Sequence, residues 1–177
     1  MKTTLANRIQ VWEMQFESVA TWTQNVEDDI FMRKPSEDKW SISQIIHHIM
    51  LSESQILSSM QWRIANNKIH HSIWPGMLKL WFLKVRFEIL LPMKAPEYVA
   101  DPVNTPKSET MQEWSKIRND WKLYVETLQS DVYKKAVFKH PILGYLNLYL
   151  TLQFMTIHLQ RHKKQIKNLL KSDETHM

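Results

Sequence analysis

Glycine occurs only twice in the 177 residues, at Gly76 and Gly144, and both stand beside prolines or at a break between segments. Glycine is the residue that lets a backbone turn sharply, so a chain this poor in it reads as helical. Periodicity agrees. From about Thr3 to Val26, the residues Leu5, Ile9, Trp12, Phe16 and Val19 recur at steps of three and four, drawing one apolar stripe along a long helix. The stripe breaks at "RKPSEDKW". Ser41 in "WSISQIIHHIMLSESQILSSM" then suits the N-cap of a second helix running to about Ala65, with Ile42, Ile45, Ile46, Ile49, Ile56, Leu57 and Met60 as its apolar set.

In the middle of the chain, Pro75 and Gly76 open a short aromatic helix, "MLKLWFLKVRFEIL". Pro92, Pro96, Pro102 and Pro106 make the following stretch an extended crossing loop, because proline lacks the backbone donor and disfavours helix in the residue before it. A third long helix spans about Ser108 to Gln129, with Trp114, Ile117, Trp121, Val125 and Leu128 on one side. The last runs from about Leu146 to Lys171 and is introduced by "HPILGYLN", where Gly144 supplies the turn. No internal repeat, low-complexity segment or run of strands is evident. The expected fold is an all-α four-helix bundle with a long crossover between its second and third helices. Residues 1–177 form one domain in this reading, with roughly the last six as a disordered tail.

Composition narrows the chemistry. There is no cysteine, so a disulfide framework, a thiolate metal site and a protein-thiol nucleophile are all excluded, in keeping with a cytoplasmic protein. The charged, amphipathic N-terminus lacks the apolar core of a signal peptide, and no stretch approaches the ~18 apolar residues of a membrane span. The net charge of +5 is scattered, apart from Lys163, Lys164, Lys167 and Lys171. Basic residues there complement a helix dipole, and no aromatic is interleaved with them for base stacking. Nucleic acid is therefore not an expected partner.

The histidines carry the functional signal. In "IHLQRHKKQI", His158 and His162 lie four apart on a helix, one above the other on a single face. At ~100° per residue they phase with Met155, Leu159, Ile166, Leu169 and Leu170, whereas Arg161, Lys164, Lys167 and Lys171 fall on the opposite, solvated side. Two inward imidazoles need partners for their ring nitrogens. Core hydrogen bonds would serve, and so would one divalent ion that satisfies both. The HExxH protease reading fails, because Leu159 stands where that motif has its glutamate. Among the other histidines, His70 and His71 sit in a connector, His176 in the polar tail, and His140 before Pro141 at the lead-in to the last helix. His47 and His48 are adjacent, so at most one faces any given site. Periodicity does not choose between them, although His48 shares its side with Ser41, Gln44, Ser52 and Gln55, a lining suited to a wet cavity. Glu53 is the nearest carboxylate, with a surface position as its ordinary reading, and Trp40 is expected to pack at the helix start near the site.

The combination of "WSISQIIHHI" with "HPILGYLNLYLTLQFMTIHLQRHKKQI" resembles the DinB superfamily, in particular its YfiT-like branch. The resemblance covers most of the chain. It comprises a Trp-Ser opening of the second helix with a histidine eight residues after the tryptophan, the proline-rich crossing loop, His-Pro-x-x-Gly before the last helix, and the closing His-x3-His. Members of that family are up-up-down-down four-helix bundles in which three histidines bind a divalent metal, commonly zinc or nickel. Carried over by position, the resemblance implies His48, His158 and His162 as ligands, and thus His48 over His47.

Three imidazoles leave a coordination position open, as in catalytic rather than structural sites. The resemblance implies a metal-dependent transferase using a low-molecular-weight thiol such as bacillithiol, with a metal-dependent hydrolase as the alternative. A non-catalytic metal-binding or stress-response protein is the reading from another class. The expected partner is a small-molecule substrate, and a homodimer is the default oligomer. Trp74 and Trp81 could line a substrate mouth or a dimer contact, with core packing as the plainer role of Trp81.

Overall fold

The computed structural model describes residues 4–71 and 102–174, the last two of these by backbone alone. The short aromatic helix with Trp74 and Trp81, most of the crossing loop, and His176 lie outside the described residues.

Helix α1 spans Leu5–Thr23, and Thr4 caps it by accepting the Asn7 N–H on its hydroxyl at 3.3 Å. A short helix not expected from the sequence, α2 (Asp28–Met32), precedes the "RKPSEDKW" break; Asp28 and Asp29 in its first turn suit the helix dipole, and Phe31 is buried. Helix α3 runs Ile42–Ala65 from a full capping box: Ser41 accepts the Gln44 N–H, and the Gln44 side chain accepts the Ser41 N–H. Helix α4 is Lys107–Glu126 and α5 is Leu148–Glu174. The long helices thus match the periodicity to within about three residues at each end.

A pair of strands also escaped the sequence reading. Ala136–His140 (β1) and Gly144–Asn147 (β2) pair as an antiparallel hairpin. Phe138 opposite Leu146 faces the core, and Lys139 opposite Tyr145 faces out. The loop closes at Gly144, whose φ of 74° is open to glycine at little cost. The Ala136 N–H donates to the His70 carbonyl at 2.7 Å, which ties the chain leaving α3 to this hairpin.

Side-chain pairings set the helix directions. Ser43 exchanges hydrogen bonds with Thr105 just before α4, and further along Glu53 meets Trp114 and Arg118, so α3 and α4 run parallel. Arg8 reaches Gln153 and Gln15 accepts from Lys163, so α1 and α5 also run parallel. Glu13 pairs with Arg118 and Phe16 packs on Trp114, which sets α1 antiparallel to α4. In chain order the long helices read up, down, down, up. The up-up-down-down order implied by the resemblance would make the first two and the last two helices the parallel pairs; here the parallel pairs are α1 with α5 and α3 with α4.

The core is tryptophan-rich, and at its centre lies a carboxylate. Glu53 is 2% exposed, contrary to the surface position expected of it, and it stands outside the histidine group. Its two oxygens accept from Trp12 Nε1 at 3.0 Å, Trp114 Nε1 at 2.9 Å and Arg118 Nη1 at 3.0 Å. Its backbone carbonyl accepts from Trp121 Nε1 at 2.9 Å. Arg118 lies 3.6 Å from the Trp12 ring centroid and also donates to the Trp12 carbonyl and to Glu13. Burial pushes the Glu53 carboxyl up, opposed by the Arg118 charge and the two indole donors. A buried ion of this kind is tolerated only when its lone pairs are fully used, and here α1 and α4 supply the partners.

Candidate metal centre

The N-terminal end of α3 is held firmly. Beyond its capping box, Ser41 bonds Asn104 at 2.8 Å and Gln44 donates to the Pro102 carbonyl at 3.1 Å. Asn104 in turn donates to the Met32 carbonyl at 2.7 Å. This strap also separates the two adjacent histidines. His47 Nδ1 accepts the Val103 N–H at 3.3 Å, while His48, 100° round the helix and 5% exposed, turns inward against α5.

There it meets the histidine pair. His158 and His162 lie one turn apart on α5, their rings edge to face and their Nε2 atoms 3.1 Å apart. The His48 ring centroid lies 5.3 Å from that of His158 and 5.0 Å from that of His162. One ligand atom from each of the three falls within 4.8 Å of the others. Nitrogens sharing a tetrahedral ion at ~2.0–2.1 Å stand about 3.3 Å apart, so the group can close on one ion through small side-chain rotations.

The electrostatics suit a cation. Burial, with His48 adding to it, lowers the His162 pKa to about 3. Burial and the neighbouring imidazoles hold His158 well below the ordinary value. Both rings are therefore neutral at pH 7, the form that ligates metals. His162 Nδ1–H donates to Gln165 Oε1 at 2.6 Å, which fixes the ring and leaves its Nε2 lone pair facing His158.

The sequence profile of the DinB superfamily matches residues 12–166, a span that includes all three histidines. The chain belongs to the DinB superfamily. No curated protein sequence matches it significantly. Among solved structures it is similar to YfiT from Bacillus subtilis, described as a probable metal-dependent hydrolase with an unusual four-helix bundle topology. The TM-score is 0.58 at 15% identity, covering 98% of this chain and 90% of that one. At that identity the likeness is one of fold, and it agrees with the helical bundle described above.

Around the centre of this DinB-superfamily chain, the walls differ from expectation. Ser41 and Gln44 are consumed by the cap, Ser52 donates back to the His48 carbonyl at 2.9 Å, and Gln55 is exposed. The wall is instead aromatic. Trp40 lies 5.0 Å from the His48 ring, as its place at the helix start implied, and Phe154 stacks on His158 at 5.7 Å and 19°. His140 packs edge-on to Phe154 at 4.5 Å. Gln165 was not singled out from the sequence, although its place three residues after His162 makes the two neighbours on one helix face. His70 and His71 are exposed, as expected. No described helix is long and apolar enough to cross a membrane.

Proposed function

We propose that His48, His158 and His162 hold one divalent ion, zinc or nickel, and that the centre transfers a low-molecular-weight thiol such as bacillithiol to an electrophilic small molecule. The observation that carries this reading is the convergence of three imidazole nitrogens, from two helices, within 4.8 Å. Three histidines, of which His158 and His162 are held neutral and His162 has a fixed tautomer, fit a borderline metal, and three protein ligands leave a position for an exogenous group. A bound ion supplies Lewis acidity there, enough to deprotonate a coordinating thiol.

The chain's own residues do the rest. Gln165 orients His162, Phe154 and Trp40 limit water around the rings, and burial keeps His158 and His162 unprotonated. Glu53, the acid nearest His48 along α3, is committed to Arg118 and two indoles and is not free to act as a general base. A thiol held at the three histidines beside a bound ion would release its proton to solvent, so Glu53 would not be required as its base. With no cysteine in the sequence, the thiol comes from a small co-substrate.

Hydrolysis is the second reading, favoured by the description of YfiT. Metal analysis of purified protein is expected to find about one divalent ion per chain, lost in His158→Ala. Electrophile consumption is then measured with and without bacillithiol. Thiol-dependent turnover supports the transferase, turnover without thiol supports the hydrolase, and a metal-free wild type overturns both.

A further inference from the structure

His140 ends β1 opposite Gly144, half-buried. Its Nδ1 accepts two backbone hydrogen bonds across the hairpin loop, from the Ile142 and Leu143 N–H groups, each at 3.1 Å. Two N–H groups aimed at one ring nitrogen require a lone pair there. A neutral imidazole carries a single N–H, so the loop fixes the hydrogen on Nε2. That choice is stable, since a second proton could enter only at the nitrogen already facing two donors. Burial also pushes the His140 pKa down to about 4.

This ring stands next to the metal centre. It packs edge-on to Phe154 at 4.5 Å, and Phe154 stacks on His158 at 5.7 Å, so a single aromatic ring separates His140 from the histidine group. Among the hydrogen bonds of the described residues, Nε2 of His140 has no partner, and the rings of Phe154 and Trp40 pack against His158 and His48 of the group. We infer that His140 is a specificity residue of this centre, whose loop-fixed Nε2–H donates a hydrogen bond to an acceptor oxygen, a carboxylate or carbonyl, on the small molecule held at the three histidines. The inference rests on the metal-centre reading above and adds to it a substrate class, molecules that carry such an oxygen a few bonds from the metal-bound atom.

The test compares two thiols on cobalt-loaded protein, 3-mercaptopropionate and 1-propanethiol, with affinities read from the thiolate-to-cobalt absorption. Both offer the same metal-binding atom, and only the first carries acceptor oxygens. His140→Asn places its amide oxygen near the Nδ1 position and so keeps the loop acceptor, but lacks the distal N–H. It is expected to retain wild-type Tm and cobalt content, to bind 3-mercaptopropionate about tenfold more weakly, and to bind 1-propanethiol as before. His140→Gln, whose amide reaches the Nε2 position, is expected to recover part of the preference. Long-range nitrogen-proton NMR on the metal-free wild type is expected to show His140 protonated at Nε2 alone. An Nδ1–H tautomer, or cobalt-loaded His140→Asn with an unchanged ratio of the two affinities, overturns the inference and leaves the metal centre standing. A wild type that takes up no cobalt overturns the metal centre and the inference with it.

Discussion

Acidification should destabilise the metal-free protein through its neutral histidines, and His162 offers the clearest measurement. In the unfolded chain its imidazole is charged below about pH 6.5. In the folded chain burial keeps it neutral down to about 3. Between these values the unfolded state binds the extra proton, so stability is lost as the pH falls, by about 1.4 kcal/mol per unit once well below 6.5. From pH 7 to pH 5 the integrated loss is roughly 2 kcal/mol for this one group. His158, also held low, and His140, lowered to about 4, add losses of the same sign. Urea unfolding of chelator-treated protein at both pH values measures the total, and His162→Gln isolates one share. The variant should lose about 2 kcal/mol less than wild type between pH 7 and pH 5. Equal losses in the two proteins would mean that His162 is not the buried neutral base described here.

Other perturbations reach different parts of the molecule. Zinc at a hundred times its Kd should stabilise the wild type by about 2.7 kcal/mol, reversibly by chelator; His48→Ala should abolish that gain and His47→Ala preserve it, as thermal melts with and without zinc will show. Gln165→Ala should leave the apo-protein Tm nearly unchanged and weaken zinc binding by roughly 10–100-fold in a competition titration with a chromogenic chelator. Arg118→Met leaves Glu53 buried without its cation, a change that costs about 3–5 kcal/mol, or roughly 6–20 °C in Tm for a chain of this size; a drop under about 2 °C would show that the pair is dispensable.

The parts of the fold that were legible in the sequence are those that repeat. Five apolar residues at steps of three and four located α1, and Ser41 marked the start of α3 because a cap is a local device, complete within residues 41–44. The inward phase of His158 and His162 was legible for the same reason. The hairpin was not, since β1 and β2 are five and four residues long, too short for alternation to stand out, and a bulge at Ala136–Phe138 breaks the period. Glu53 was misjudged because its partners lie 41 to 68 positions away along the chain, and periodicity carries no information about such contacts. Periodicity could not choose between His47 and His48, a choice the resemblance made, because the 102–105 strap that claims His47 comes from a distant segment. Trp22 was invisible as a neighbour of the C-terminal lysines until folding set Lys163 and Lys167 over its ring, at 5.0 and 5.8 Å.

The carboxylate at the heart of the bundle also constrains how this sequence can drift. Trp12, Glu53, Trp114 and Arg118 come from three helices, and each satisfies a group that another leaves buried. Replacing Glu53 or Arg118 strands a buried charge, and replacing either tryptophan takes a donor from the carboxylate, whereas an apolar cluster at all four positions could be stable. Every single-step route to that alternative crosses a destabilised intermediate. These positions are therefore expected to be inherited as a block, each tolerating change only when its partners change too, while the aliphatic residues around them remain free to exchange with one another.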